Sequence, residues 1–142
     1  MVKKTLFSAF LYGLMILGLT PVYAASCRVA DTFFILNASF RYLIYKEAEL
    51  SDRNATVEWK DGYIKNCIVD GNNVGICIRP SFQAKVQICS TLSKELYGTL
   101  TFQAEGTTEG LPLAFISQYT AMLGDTLCGG FGGVFYCVYR GP

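Results

Sequence analysis

The chain contains no histidine. That absence removes Ser-His-Asp and Cys-His catalysis, imidazole metal ligation and the histidine pH switch together. No Cys-x-x-Cys pair occurs among the six cysteines, which argues against zinc. Charge is sparse and balanced: 16% of residues are charged, with a formal net charge of +1. Such a chain draws neither nucleic acid nor an anionic membrane by bulk field. There is no internal repeat, low-complexity tract or linker. After the N-terminus no second long apolar run follows.

What is present begins with "MVKKTLFSAFLYGLMILGLTPVYAASC". Lys3 and Lys4 form a positive start, Leu6 to Leu19 an apolar core, and Val22-Tyr23-Ala24 the small residues of a cleavage site. This reads as a bacterial secretory signal peptide over residues 1–24, leaving a single domain over 25–142. Lipidation at Cys27 is the weaker reading, because Ala24 stands where a Leu-like residue is wanted. Losing Lys3 and Lys4 leaves ten basic against eleven acidic residues, a net charge of −1.

All six cysteines lie in the mature part. An even count in an exported chain reads as three disulfides, among 15 possible pairings. Spacing favours two local staples. Cys67 and Cys77 bracket "IVDGNNVGI", and Cys128 and Cys137 bracket a glycine-rich loop. Cys27 and Cys89 are then left for each other.

Most of the chain reads as short strands. "DTFFILNASF" and "RYLIYK" are rich in aromatic and β-branched residues. "TVEWKDGYIKNCIV" and "NVGICI" predict a hairpin with turn signals at Asp61-Gly62 and Asp70-Gly71. One segment differs. Phe82, Val86, Cys89, Leu92 and Leu96 stand near helical spacing, so an amphipathic helix is expected from about Pro80 to about Leu96. The fold class expected is therefore mainly β with one helix: a small OB-like β-barrel stapled by disulfides, the helix lying across it.

The motifs are mostly structural. "CGGFGGVFYC" has no lysine and is followed by a strand former, so it reads as a hairpin turn rather than a phosphate cradle. Glu58 with Asp61, and Glu105 with Glu109, read as solvated turn carboxylates rather than glycosidase pairs. Asn37-Ala38-Ser39 and Asn54-Ala55-Thr56 match the glycosylation sequon as chance matches. Ten Phe and nine Tyr exceed what a core of this size requires. Some of them are available for a subunit interface or a sugar face. No catalytic residue, metal ligand or cofactor motif emerges.

The order of features resembles the B subunits of pertussis-like AB5 toxins, the group of subtilase cytotoxin and typhoid toxin. The residues that carry it are "YIKNCI" with "GICI", then "PSFQAKVQICSTLSKELYGTLTFQAEG". They continue through "LPLAFISQYTAMLGDTLC", with Ala121, Gly124 and Cys128 at family spacing, to Cys137. The resemblance implies a secreted, non-enzymatic subunit that forms a ring of five, alone or with a sister subunit. That ring would bind host sialylated or other glycans and carry a separate catalytic A subunit. It supports the pairs Cys67–Cys77 and Cys128–Cys137, with Cys27–Cys89 by elimination. It places the glycan site at Asp31, Thr32 and Phe34, and at Phe102 and Gln103. Ile35 stands where relatives have a serine, and Phe102 and Gln103 stand near a family tyrosine, which implies altered sialic-acid binding. The other class of function is an exported binding module such as a periplasmic inhibitor or a pilus-associated subunit.

Overall fold

The structure is a computed structural model that describes residues 28–91 and 96–142. The expected signal peptide and Cys27 lie outside the described residues. The described residues form twelve strands and no helix. Five make one sheet, in the order β11 (Gly129–Phe131), β12 (Val134–Tyr139), β1 (Arg28–Asn37), β6 (Gln83–Ser90) and β3 (Thr56–Asp61). Seven make the other. Its order is β10 (Thr126–Leu127), β9 (Thr120–Leu123), β8 (Leu111–Ile116), β7 (Tyr97–Ala104), β2 (Leu43–Leu50), β5 (Asn72–Ile78) and β4 (Ile64–Val69).

The sheets pack face to face around a main core, and Ile44, Cys67 and Cys77 form a smaller separate cluster. Phe33, Ile35, Val86, Ile88 and Phe135 come from the five-stranded sheet, and Leu43, Leu100, Phe102, Leu113 and Phe115 from the other. Phe33 stacks on Phe135 at 5.3 Å and meets Phe115 edge-on at 5.2 Å, so one ring ties the two layers together.

The helix expected from Pro80 to Leu96 is a strand over Gln83–Ser90; residues 92–95 lie outside the described residues. The reason is in the period. Ala84, Val86 and Ile88 are buried while Gln83, Lys85 and Gln87 face outward, an alternation of two. The 3-to-4 spacing of Phe82, Val86 and Cys89 coincides with this by chance. β6 runs between β1 and β3, so both of its backbone edges are hydrogen-bonded in the sheet.

The two sheets do not close into a barrel, but the chain steps from one to the other at both flanks. β3 hands over to β4 through Gly62 and Tyr63, so Asp61-Gly62 is an inter-sheet corner and not a hairpin turn. β10 hands over to β11 through Cys128 alone. Asp70-Gly71 does turn the β4–β5 hairpin. Both residues have positive φ, 51° and 79°, as a two-residue turn with the correct twist demands. The glycine-rich loop is the β11–β12 hairpin, turned by Gly132 and Gly133.

The disulfides Cys67–Cys77 and Cys128–Cys137 are formed as spacing favoured, with Cα atoms 6.0 and 4.5 Å apart. Cys89 is disulfide-bonded too; its expected pairing with Cys27 lies outside the described residues. Bonded cysteines of this kind mark an oxidising compartment.

Candidate functional site

Alternation along three neighbouring strands builds the solvent-facing side of the five-stranded sheet. In β1, Phe33 and Ile35 point into the core, which turns Thr32, Phe34 and Leu36 to the other side, where Thr32 is buried and Phe34 and Leu36 are half-buried. β12 runs parallel to β1 and places Tyr136 opposite Phe34. On the other side, antiparallel β6 places Lys85 opposite Phe34 and Gln87 opposite Thr32.

The result is a row of aromatic, aromatic and cation. Phe34 and Tyr136 are stacked, their planes nearly parallel at 9° and their ring centroids 5.1 Å apart. The Lys85 ammonium is 5.8 Å from the Phe34 centroid. Tyr136 is 52% exposed, so its ring edge and hydroxyl reach water. One row along, Gln87 Nε2 donates to Thr32 Oγ1 at 3.4 Å, and Glu58 is the next residue across. Glu58 is paired with Lys60 at 3.1 Å. Asp61 is in register with Lys85, but its Oδ1 accepts the Gly62 amide at 2.9 Å. Lys85 therefore has no ion pair among the described residues. The side of Tyr136 away from Phe34 faces Gly129, which has no side chain to cover it; with the Lys85 ammonium and the Gln87 amide on the same face, this suits a ligand with both C–H faces and acceptor oxygens.

Of the five residues expected in the site, the structure brings Thr32 and Phe34 together. Phe102 has no exposed surface and packs against Tyr45 and Trp59 in the core, at 5.7 and 6.2 Å. Gln103 lies on the outer side of the other sheet, where its side-chain amide donates to the Thr107 carbonyl. The whole core separates it from Phe34.

Asp31 is fully buried and points inward. Its Oδ1 accepts the Gln118 amide at 2.7 Å, clamping the β8–β9 turn to the opposite sheet. Its Oδ2 has no hydrogen-bond partner among the described residues. Burial pushes the Asp31 carboxyl above its ordinary range, and hydrogen bonds from the Gln118 amide and Ser117 hydroxyl pull it partly back. Asp31 is a structural clamp that no ligand on the sheet face can touch.

Tyr136, Lys85 and Gln87 were not expected in the site. The outward parity of Tyr136 was readable from the inward disulfide at Cys137, but its neighbour was not. The carboxylates expected as turn residues stay separately engaged: Glu105 Oε1 accepts the Tyr42 amide at 2.7 Å. No cluster of His, Cys, Asp and Glu that could hold a metal occurs among the described residues.

Fold and face together describe a disulfide-stapled module, all β among the described residues, with a half-exposed aromatic stack on one sheet. No family model matches the chain, and no curated protein matches it either.

Proposed function

We propose that this chain is an exported, non-catalytic binding module that takes a carbohydrate on the outer face of its five-stranded sheet. The observation that carries the reading is the Phe34–Tyr136 stack, whose Tyr136 ring is half exposed and lies beside Gly129, with Lys85 and Gln87 on the same face of the sheet. A sugar ring lays its C–H patch on the side of Tyr136 away from Phe34 and turns its hydroxyls to the donors of the same face. One shallow platform binds weakly, so useful affinity needs several copies on one surface.

The resemblance to AB5 toxin B subunits extends this to a ring that delivers a catalytic subunit. The local staples support that extension. The strand at Gln83–Ser90 counts against it, because it stands where the resemblance puts a helix to line the central pore. A glycan array with the folded mature protein tests the binding reading. Tyr136→Ala and Phe34→Ala should each abolish the signal while leaving the thermal melt close to wild type. Binding unchanged in both variants overturns the assignment of the face. For the toxin extension, a mass near five protomers and co-purification with a catalytic subunit are expected; a glycan-binding monomer without one overturns it.

A further inference from the structure

Between β1 and β2 the chain turns through residues 38–42, with Phe40 at the tip, 99% exposed. The turn beneath it is bonded on several sides. Buried Asn37 donates from Nδ2 to the carbonyls of Arg41 and Ile78, at 2.7 and 2.9 Å. Its Oδ1 accepts the Ser39 hydroxyl at 2.7 Å. The Ala38 amide donates to the Tyr139 carbonyl at 2.7 Å, and the Arg41 guanidinium to the Glu105 carbonyl at 2.9 Å. Phe40 is thus held in water by a loop that is itself fixed.

The same node sets a second ring. The Asn37 amide donates to the Phe82 carbonyl at 3.0 Å, and the Ser81 amide to the Asn37 carbonyl at 2.7 Å. Ser81 has φ 71°, a left-handed conformation that a serine holds only where its surroundings fix it. Phe82 is about half exposed, and the Arg79 guanidinium lies 4.9 Å from its centroid. Arg79 has no ion pair among the described residues. Exposed rings on a preorganised turn, with an arginine beside them, are the composition of an interface anchor.

At the opposite end of the sandwich, the outer face of the seven-stranded sheet carries a groove of about 680 Å³. Register places Tyr97 beside Ile116, Ala114 beside Met122, and Glu49 beside Thr99. Tyr97, Ile116 and Met122 are 59%, 37% and 41% exposed, an apolar floor without cover. Glu49, on its rim, has no ion pair among the described residues.

We infer that the Phe40–Phe82 tip of one copy of this chain docks in the Tyr97–Ile116–Met122 groove of the next, bringing Arg79 to Glu49. Apolar surface meets apolar surface, and an unpaired cation meets an unpaired carboxylate. The tip stands where β1 ends and β6 begins, and the groove where β7 begins and β8 ends. A single molecule cannot satisfy both, so the contact is head-to-tail and repeats into a ring or a filament. A bilayer is the poorer occupant. A single small apolar tip is too little for stable membrane binding, which takes more than one anchor. The contact is independent of what the five-stranded sheet binds.

Sedimentation velocity over a concentration series tests it, with wild type, Phe40→Asp and Ile116→Lys. Both positions are exposed, and thermal melts matching wild type establish that the variants fold. Wild type should associate, and each variant should do so at least about tenfold more weakly. Mixing the two variants should restore one contact, the intact tip of Ile116→Lys in the intact groove of Phe40→Asp, and growth should stop at a dimer. The exchange Arg79→Glu with Glu49→Arg should recover association that either change alone reduces. A wild type still monomeric at about 1 mM, the concentration matching a contact of only about 4 kcal/mol, overturns the inference. So does a mixture of the two variants that gives no dimer. So does a monomeric wild type that binds anionic phospholipid vesicles through Phe40.

Discussion

Two glycines in the hairpin between β11 and β12 separate backbone conformation from steric contact. Gly130 has φ 102° and Gly132 has φ 67°. A Cβ at Gly132 meets nothing within 4 Å. A Cβ at Gly130 would enter the Val134 carbonyl oxygen, with the Val134 carbon at 3.1 Å and the Phe135 Cα at 3.2 Å behind it. Gly132→Ala should therefore cost only the left-handed conformation, about 1–2 kcal/mol. Gly130→Ala adds loss of the pairing of Gly130 with Phe135, at about 1 kcal/mol for each hydrogen bond broken, for a total of about 3 kcal/mol. At roughly 4 °C per kcal/mol for a domain of this size, the melting temperatures should fall by about 6 °C and about 12 °C. The larger cost has a ceiling. β11 is a three-residue edge strand, and Cys128–Cys137 still ties its start to β12 if it peels away. Gly130→Val should then be scarcely worse than Gly130→Ala. Differential scanning calorimetry of the oxidised proteins reads all three. Equal losses at Gly130 and Gly132, or a larger loss at Gly132, would refute the reasoning.

Asp31→Asn should raise the melting temperature at neutral pH and flatten its pH dependence. The folded carboxyl titrates above its ordinary value, so its share of stability is complete in acid and fades as pH rises through the raised value; melts from pH 4 to 8 showing wild type gaining on the variant with pH would contradict this. Replacing Cys67 and Cys77 together by serine should cost roughly 2.7 kcal/mol in the chain-entropy account of a loop this short, read as a shifted denaturant midpoint. Expressed in a glycosylating host, the chain should carry glycan at exposed Asn54 and none at Asn37, which is fully buried and bonded; peptide mass mapping decides it.

The features legible in the sequence were those written in a few consecutive residues. Asp70-Gly71 specifies its hairpin because both positions need positive φ. The glycine loop announces a turn because no helix former follows it. Cys67 and Cys77 find each other across that hairpin. Phe33 and Phe34 had to part to opposite faces in any strand. The losses came where distance decides. Nothing near Phe34 indicates that Tyr136, at the far end of the chain, lies beside it. Nothing near Phe102 says that Tyr45 and Trp59 cover it. β6 reads as a helix because Phe82, Val86 and Cys89 fit a helical period, while the strand alternation runs only from Gln83 to Ile88 before Cys89 and Ser90 are buried as well.

The parallel pairing of β1 with β12 sets the order in which this chain can fold. β1 sits inside its sheet, between β6 and β12, so its Thr32–Asn37 edge stays open until Val134–Tyr139 has left the ribosome. No partial product of synthesis can finish the five-stranded sheet. Long-range closure of this kind is slow, and the unpaired edge is adhesive meanwhile. If the chain is exported as proposed, such a delay keeps it competent to thread a translocon unfolded. The same delay makes the last strand the trigger. A chain cut short of β12 would lose Phe135 from the core and Cys137 from its disulfide. Quality control would meet an exposed β1 edge in place of a finished protein.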